Sequence, residues 1–171
     1  MGRHTLHMTH RVTGGTRVAI RRATARDAKR LTTLVGSSRA YEGPYASMVA
    51  GYRVGPDYIE THEVHVAVEV PGEALGPGGR ILGFYSLLLA PPELDLLFVA
   101  DSAQRLGIGR LLVTHMKATA RAAGADHVHV VSHPPAEGFY TSVGATRTGT
   151  NRANPPAVLW DRPELSIPTH P

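Results

Sequence analysis

The sequence predicts one mixed α/β (α+β) domain on a single central sheet, and three observations carry that reading. Two apolar runs at residues 64–70 and 81–89 are followed closely by a third at 93–99, with turn formers between them. Strands linked in this way pair antiparallel. From the third run a glycine-opened amphipathic stretch leads to another strand at 127–132. A strand–helix–strand unit of that length pairs its strands in parallel through a right-handed crossover. Finally, 171 residues with 42% hydrophobic content suffice for one core, and no internal repeat or second domain is visible.

In chain order, residues 1–14 read as a flexible tail. It holds His4, His7 and His10 but lacks the apolar core and small-residue cleavage site of a secretory signal. Arg17-Val-Ala-Ile-Arg forms a first short strand. Thr24 and Asp27 have the spacing of a capping box, and Ala28, Leu31, Leu34 and Val35 continue as a helix stripe that Gly36 can end. Residues 37–63 are looser. Tyr41, Tyr45, Tyr52 and Tyr58 lie among Glu42, Asp57, Glu60 and Glu63, with short helices expected near 45–51 and 57–62.

The 64–70 and 81–89 strands form a hairpin across a loop at 71–79 rich in turn formers. Pro91-Pro92 forces a break before the central strand at Glu93. In the helix that follows, Ile108, Leu111, Leu112, His115, Met116 and Ala122 recur at helical spacing, with Thr119 filling the stripe and Gly124 placed to end it. Residues 146–150 read as a strand, 151–156 as a loop, 157–162 as the last strand and 163–171 as a tail. The domain proper is therefore expected over 15–162.

Composition narrows the function. No apolar run approaches the roughly 20 residues that span a bilayer. The absence of cysteine excludes disulfides, a thiol nucleophile and Cys-ligated zinc, and agrees with a cytoplasmic protein. A formal charge of +4 with a pI near 9.8 suits an anionic ligand. It does not indicate nucleic acid, because no Lys/Arg-rich run carries interleaved aromatics. Ten histidines raise the question of a metal, but none pairs at helical spacing with a carboxylate, so no metal is expected.

The turn after the central strand carries the most specific signal. In Gln104-Arg-Leu-Gly-Ile-Gly109 two glycines let backbone approach a ligand closely, at a helix start whose dipole and free N–H groups favour an anion. Arg105 and Arg110 flank it, and a pyrophosphate is the natural guest. A tight turn that only packs helix against strand is the plainer alternative. A dinucleotide-binding turn would need a third glycine where Leu112 stands.

With the strand ending Leu97-Phe98-Val99, this turn resembles the acetyl-CoA-binding motif of the GNAT superfamily of N-acetyltransferases, Arg/Gln-x-x-Gly-x-Gly/Ala, through Gln104, Gly107 and Gly109. A second stretch, His133-Pro-Pro-Ala-Glu-Gly-Phe-Tyr140 with Gly144, is similar to the family's Asn-x-x-Ala-x-x-Phe-Tyr-x-x-x-Gly-Phe. It departs from that pattern at His133 and Ala145. The resemblance implies the GNAT fold, a mixed sheet of about six to seven strands with helices on both faces. It also implies splayed parallel strands that form an acetyl-CoA cleft. The cofactor would lie on Leu97, Phe98, Val99, Gln104, Arg105, Leu106, Gly107, Ile108, Gly109, Arg110, His133 and Tyr140. The Val99 N–H would polarise the thioester carbonyl, and Leu97 would guide the pantetheine.

For catalysis, the same resemblance points to Tyr140 as the acid for the leaving thiolate, since a phenol of pKa about 10 is protonated at neutral pH. Packing beside Phe139 is its other reading. Glu93 is the first candidate base and Asp95, on the same strand face, the second; His133 is a third. The acceptor wall is expected from Tyr41, Glu42 and Tyr45, which would suit a cationic amine through charge and cation–π contact. The expected activity is acetyl transfer to the primary amine of a small molecule, with no nucleic-acid or membrane partner and with a homodimer left open. A non-catalytic acyl-CoA-binding module and an acetyltransferase of protein amines are the alternatives.

Overall fold

A computed structural model describes residues 8–41, 43–70 and 79–170. Eight strands form one sheet: β1 (Thr9–Arg11), β2 (Arg17–Arg22), β3 (Glu63–Glu69), β4 (Ile81–Leu89), β5 (Pro92–Val99), β6 (His127–Val131), β7 (Thr146–Asn151) and β8 (Arg162–Pro168). Their order is β1-β2-β3-β4-β5-β6-β8-β7. Every neighbouring pair is antiparallel except β5 and β6. Helices α1 (Ala28–Gly36) and α2 (Pro56–Thr61) cover one face, and α3 (Ile108–Ala122) and α4 (Glu137–Ser142) the other. This is the mixed sheet with two helical layers that the sequence predicts. The eighth strand comes from β1, in a stretch that reads as tail.

The last strand requires a correction. It runs over Arg162–Pro168 rather than 157–162, and it enters the sheet between β6 and β7. Residues 154–158 instead close a small turn through the Asn154–Val158 bridge. Leu165 and Ile167 alternate inward from β8 and are fully buried, which is what holds this strand in the sheet. Glu42 and most of the 71–79 loop lie outside the described residues.

Two apolar cores result, one per face. On the α3 side, Leu112, Met116 and Ala120 pack on Tyr85, Leu87, Val128, Val130, Leu165 and Ile167. His115 turns inward there as its place in the stripe predicts, and its Nδ1 lies 2.7 Å from the Tyr85 hydroxyl. On the α1 side, Leu31 and Val35 pack with Ile59, Val64, Val66 and Phe84.

The entry to α1 is fixed by Asp27. The Thr24–Asp27 capping box is present, and the Asp27 carboxylate is almost fully buried. It accepts two hydrogen bonds from Arg21 on β2, one from Arg30 and one from the Thr24 N–H, all at 2.9 Å. Burial alone would raise its pKa, but the bonds from Arg21, Thr24 and Arg30 outweigh that and hold it at about 2. Below its unfolded value of about 4, the unfolded chain takes up this proton first, so the contribution is complete above about pH 4 and is lost as pH falls towards 2. Asp27→Ala, which strands Arg21, is expected to cost about 3 kcal/mol at neutral pH by chemical denaturation. The gap between wild type and variant should narrow between about pH 4 and pH 2.

Candidate active site

The site begins where β5 and β6 part. Their parallel pairing is confined to Glu93–His129. Beyond that point both strands continue towards their carboxyl ends without bridging. On the opposite edge of β5, Ala100 donates to the Leu82 carbonyl at 2.8 Å, and the register pairs Phe98 with Phe84 and Leu96 with Ser86. In an antiparallel ladder the hydrogen-bonded positions alternate. The N–H groups of Leu97 and Val99 therefore point away from β4 and into the gap.

A roof closes one end of that gap. The segment after α1 crosses from β5 to β6: the Arg39 N–H donates to Asp101 just past β5, at 3.1 Å, and the Ala40 carbonyl lies 3.1 Å from His133 Nε2 just past β6. Tyr41 fills the space between, stacked on His133 at 4.2 Å and on Phe98 at 5.4 Å between ring centroids. Tyr45 meets His133 edge-on and reaches across to Trp160.

Two cavities meet at this point. One, of about 510 Å³, opens on the α3 and α4 side and is lined by Val99, Gln104, Arg105, Gly107, Ile108, Gly109 and Arg110, with Phe139 opposite. The other, of about 370 Å³, lies on the α1 side and takes Glu93, Asp95, Tyr52, Ser132, Asn151 and Arg162. Tyr41, Leu97, Phe98, His133 and Tyr140 line both, which places them at the junction.

The first cavity is built to receive an anion. Gly107 caps α3 at φ +86°, and Arg105 also takes a left-handed backbone at φ +65°. Gly109 allows the helix to lie against α4, because a Cβ there would stand 3.2 Å from the Phe139 ring. The first backbone bond of the helix runs from the Leu111 N–H to the Gly107 carbonyl. Among the described residues, no backbone or side-chain acceptor takes the N–H of any residue from Arg105 to Arg110. Such a row of donors, with the helix dipole behind it, attracts a phosphate. Gln104 turns the other way and donates from Nε2 to the Val99 carbonyl at 3.0 Å, tying the turn to the end of β5.

At the junction, burial sets protonation states. The Tyr140 phenol is pushed well above its usual pKa by burial, reinforced by nearby Tyr41, and so stays protonated. Burial also lowers the pKa of His133 despite its bond to Ala40, leaving a neutral imidazole. In the second cavity Asp95 accepts from the Tyr58 hydroxyl, which also bonds Ser86. Glu93 is less constrained, with His129 Nδ1 at 4.0 Å. A buried proton donor, a row of free N–H groups and a carboxylate across a narrow junction can together assist acyl transfer.

Residues 73–154 match the profile of the acetyltransferase (GNAT) domain. The match covers just under half of the chain. No curated protein sequence matches at a significant level. Among solved structures, a GCN5-related N-acetyltransferase from Rhodopseudomonas palustris superposes with a TM-score of 0.67 at 17% identity, over 97% of this chain and 99% of that one. The ribosomal-protein-S18-alanine N-acetyltransferase of Escherichia coli follows at 0.63 and 16%, over 90% and 95%. An acetyltransferase of Salmonella typhimurium solved with its cofactor acetyl-CoA gives 0.62 and 16%, over 90% and 95%. At these identities the structural likeness establishes the fold.

Most sequence-predicted site residues converge on the two cavities. Tyr45 and Leu106 do not line either; Tyr45 instead buttresses His133 and Trp160, and the Leu106 side chain packs into the α3-side core. Glu42 lies outside the described residues. Ser132, Asn151 and Arg162 line the second cavity without having been singled out from the sequence, beside Tyr52 of the tyrosine-rich segment. Only the register of β6, β7 and β8 brings Asn151 and Arg162 there, and no local motif marks it. Among the described residues no group of three or more His, Cys, Asp or Glu is placed to hold a metal, and no helix is long and apolar enough to cross a membrane.

The two glycines of the turn should respond differently to substitution. Gly107→Ala meets no neighbour and suffers only the left-handed backbone, roughly 1–2 kcal/mol. Gly109→Val drives atoms into Phe139 and should cost about 1–3 kcal/mol with displacement of α4. Urea denaturation of both variants, with Phe139 ring resonances followed by NMR, checks the distinction.

Proposed function

We propose that this GNAT domain is an acetyl-CoA-dependent N-acetyltransferase that acetylates a primary amine of a small molecule, by direct attack in a ternary complex. The observation that carries this reading is the row of free N–H groups from Arg105 to Arg110 at the mouth of the parted strands, beside the inward-facing N–H groups of Leu97 and Val99. The acetyl-CoA in the Salmonella neighbour supports the choice of donor. An acceptor cavity of about 370 Å³ under a stacked roof suits a small molecule better than a protein segment.

Acetyl-CoA, when bound, supplies the activated acetyl group. Its pyrophosphate would rest on the backbone of Arg105 to Arg110, and the Val99 N–H would be the donor to the carbonyl oxygen as charge develops there. Glu93 takes a proton from the incoming ammonium, directly or through one water, so that the nitrogen lone pair can attack the carbonyl carbon. Tyr140 gives its proton to sulfur as the C–S bond breaks, and the second proton that the nitrogen sheds as the amide forms restores it. Burial keeps that proton on Tyr140 until a thiolate is present to accept it. Asp95 is the less available of the two carboxylates, since it already accepts from Tyr58.

Calorimetric titration with CoA and thiol-release assays over an amine panel test the reading. CoA should bind wild type, and Gly107→Val should lose most of that affinity while remaining folded. Tyr140→Phe should lower kcat by roughly 10²–10⁴-fold with CoA affinity retained. Glu93→Gln should move the rising limb of the pH–rate profile upward, because the amine must then lose its proton in solution. No CoA binding, or thiol release untouched by both Tyr140→Phe and Glu93→Gln, would refute the assignment.

A further inference from the structure

We infer that the acceptor is a zwitterion, an amino acid or close analogue, whose carboxylate is held by Arg162 in the second cavity. This rests on the acetyltransferase reading for its reaction but not for its binding chemistry. Arg162 opens β8 and pairs in register with Asn151, the last residue of β7. Both side chains line the cavity that also contains Glu93 and Asp95. Among the described residues, Arg162 Nε is buried without a hydrogen-bond acceptor, and Arg162 joins no ion pair. Arg21, Arg22, Arg30 and Arg147, by contrast, each reach a carboxylate.

A permanently charged donor buried in this way calls for an anion. Only one other buried side-chain nitrogen or oxygen among the described residues lacks a partner, and it too is a donor: the indole N–H of Trp160, two residues away and packed on Tyr45. The unmet demand in this wall is therefore for acceptor atoms. A simple alkyl amine would satisfy Glu93 and leave Arg162 unmatched. An amine that also bears a carboxylate satisfies both. A phosphate is a poorer fit, because among the described residues Arg162 is the only cationic side chain lining the cavity and a dianion would face Glu93 and Asp95 as well.

Register also sets the length of the ligand. Val131 pairs with Glu164, and the Ser132 N–H donates to the Pro163 carbonyl, so Arg162 stands level with His133. Counting on from the Glu93–His129 pairing, with Asp95 an extra residue bulged out of β5, puts Phe98 level with His133. The carboxylate anchor is thus one strand spacing, about 5 Å, from the junction rather than at a distant rim. That separation suits an amino group close to its carboxylate, as in an α-amino acid.

The test compares the common amino acids with their decarboxylated amines in the thiol-release assay, adding O-phosphoethanolamine as the phosphate arm. At least one amino acid should exceed its decarboxylated partner in kcat/KM by on the order of 100-fold. Arg162→Gln should raise that amino acid's KM by a similar factor with CoA affinity retained, and Arg162→Lys should recover part of it. Equal or better turnover of the decarboxylated amines, preference for O-phosphoethanolamine, or a KM indifferent to Arg162→Gln would overturn the inference while leaving acetyl transfer standing. Calorimetric titration of the amino acids separates the two ideas further. Binding that is lost in Arg162→Gln, without thiol release, would keep the anchor and sink the transferase reading. No amino-acid binding and no amino-acid turnover would sink the anchor.

Discussion

The divergence of β5 from β6 is the constraint on which the rest depends. Two parallel strands that start in register at Glu93 and His129 would ordinarily continue to pair, because an unpaired backbone N–H in a protein interior is costly. Each strand is held on its outer edge instead. β4 grips β5 along its whole length, and β8 grips β6 from His127 to Val131. The insertion of β8 between β6 and β7 commits β6 to that side of the gap. A register irregularity adds to this: Ser86 pairs with Leu96 and Leu87 with Leu94, so Asp95 is an extra residue that bulges β5. A bulge bends its strand and sharpens the local twist. The roof then spans the gap with side chains, Tyr41 and His133, where a ladder would otherwise have run.

Electrostatics divide along the same line. On the α3 side lie the free N–H row, the helix dipole, Arg105 and Arg110. On the α1 side lie Glu93 and Asp95, with Arg162 facing them. The apolar junction between them acts by one cause in two ways, since burial disfavours whichever form of a group is charged. It keeps the proton on Tyr140 and keeps a proton off His133. The neutral imidazole can then stack on Tyr41 and meet the Ala40 carbonyl without bringing a second cation near Arg162.

What the sequence made legible follows physical range. Patterns set by neighbours in the chain were readable: the Thr24–Asp27 cap, the α3 stripe, and the glycine turn before it. The β8 strand was hidden by its own composition. Leu165, Ile167 and Thr169 alternate as a strand should, but Pro163 and Pro168 frame them, and the apolar Val158-Leu159-Trp160 nearby offered a more strand-like run. Pro163 fits because it is the second residue of the strand: its carbonyl accepts from Ser132, while its missing N–H ends the β6–β8 exchange there. The roof rests on partners 62 and 93 residues away, and the Asp95 bulge and the place of Arg162 rest on the register between strands, so no local spacing encodes them. His133 shows the limit most clearly: the motif marks its position, but only the fold reveals Ala40, 93 residues earlier, as its partner.

The separation of the two cavities has a consequence for the proposed chemistry. In that proposal proton removal and proton delivery fall to different groups, Glu93 among the polar residues of the second cavity and Tyr140 in the apolar junction. A single group serving both steps would need a pKa suited to an ammonium and then to a thiolate, and would have to move between them. Dividing the work lets each environment be tuned alone. A partly exposed Glu93 can hand the proton it takes to solvent, while the dry junction raises the Tyr140 phenol so that it holds its proton until the thiolate forms. The roof makes this division workable, because Tyr41 and His133 close the junction from above and separate the two surroundings. Loss of the stacking would let water reach Tyr140 and erode the difference between the two sites before it altered either residue.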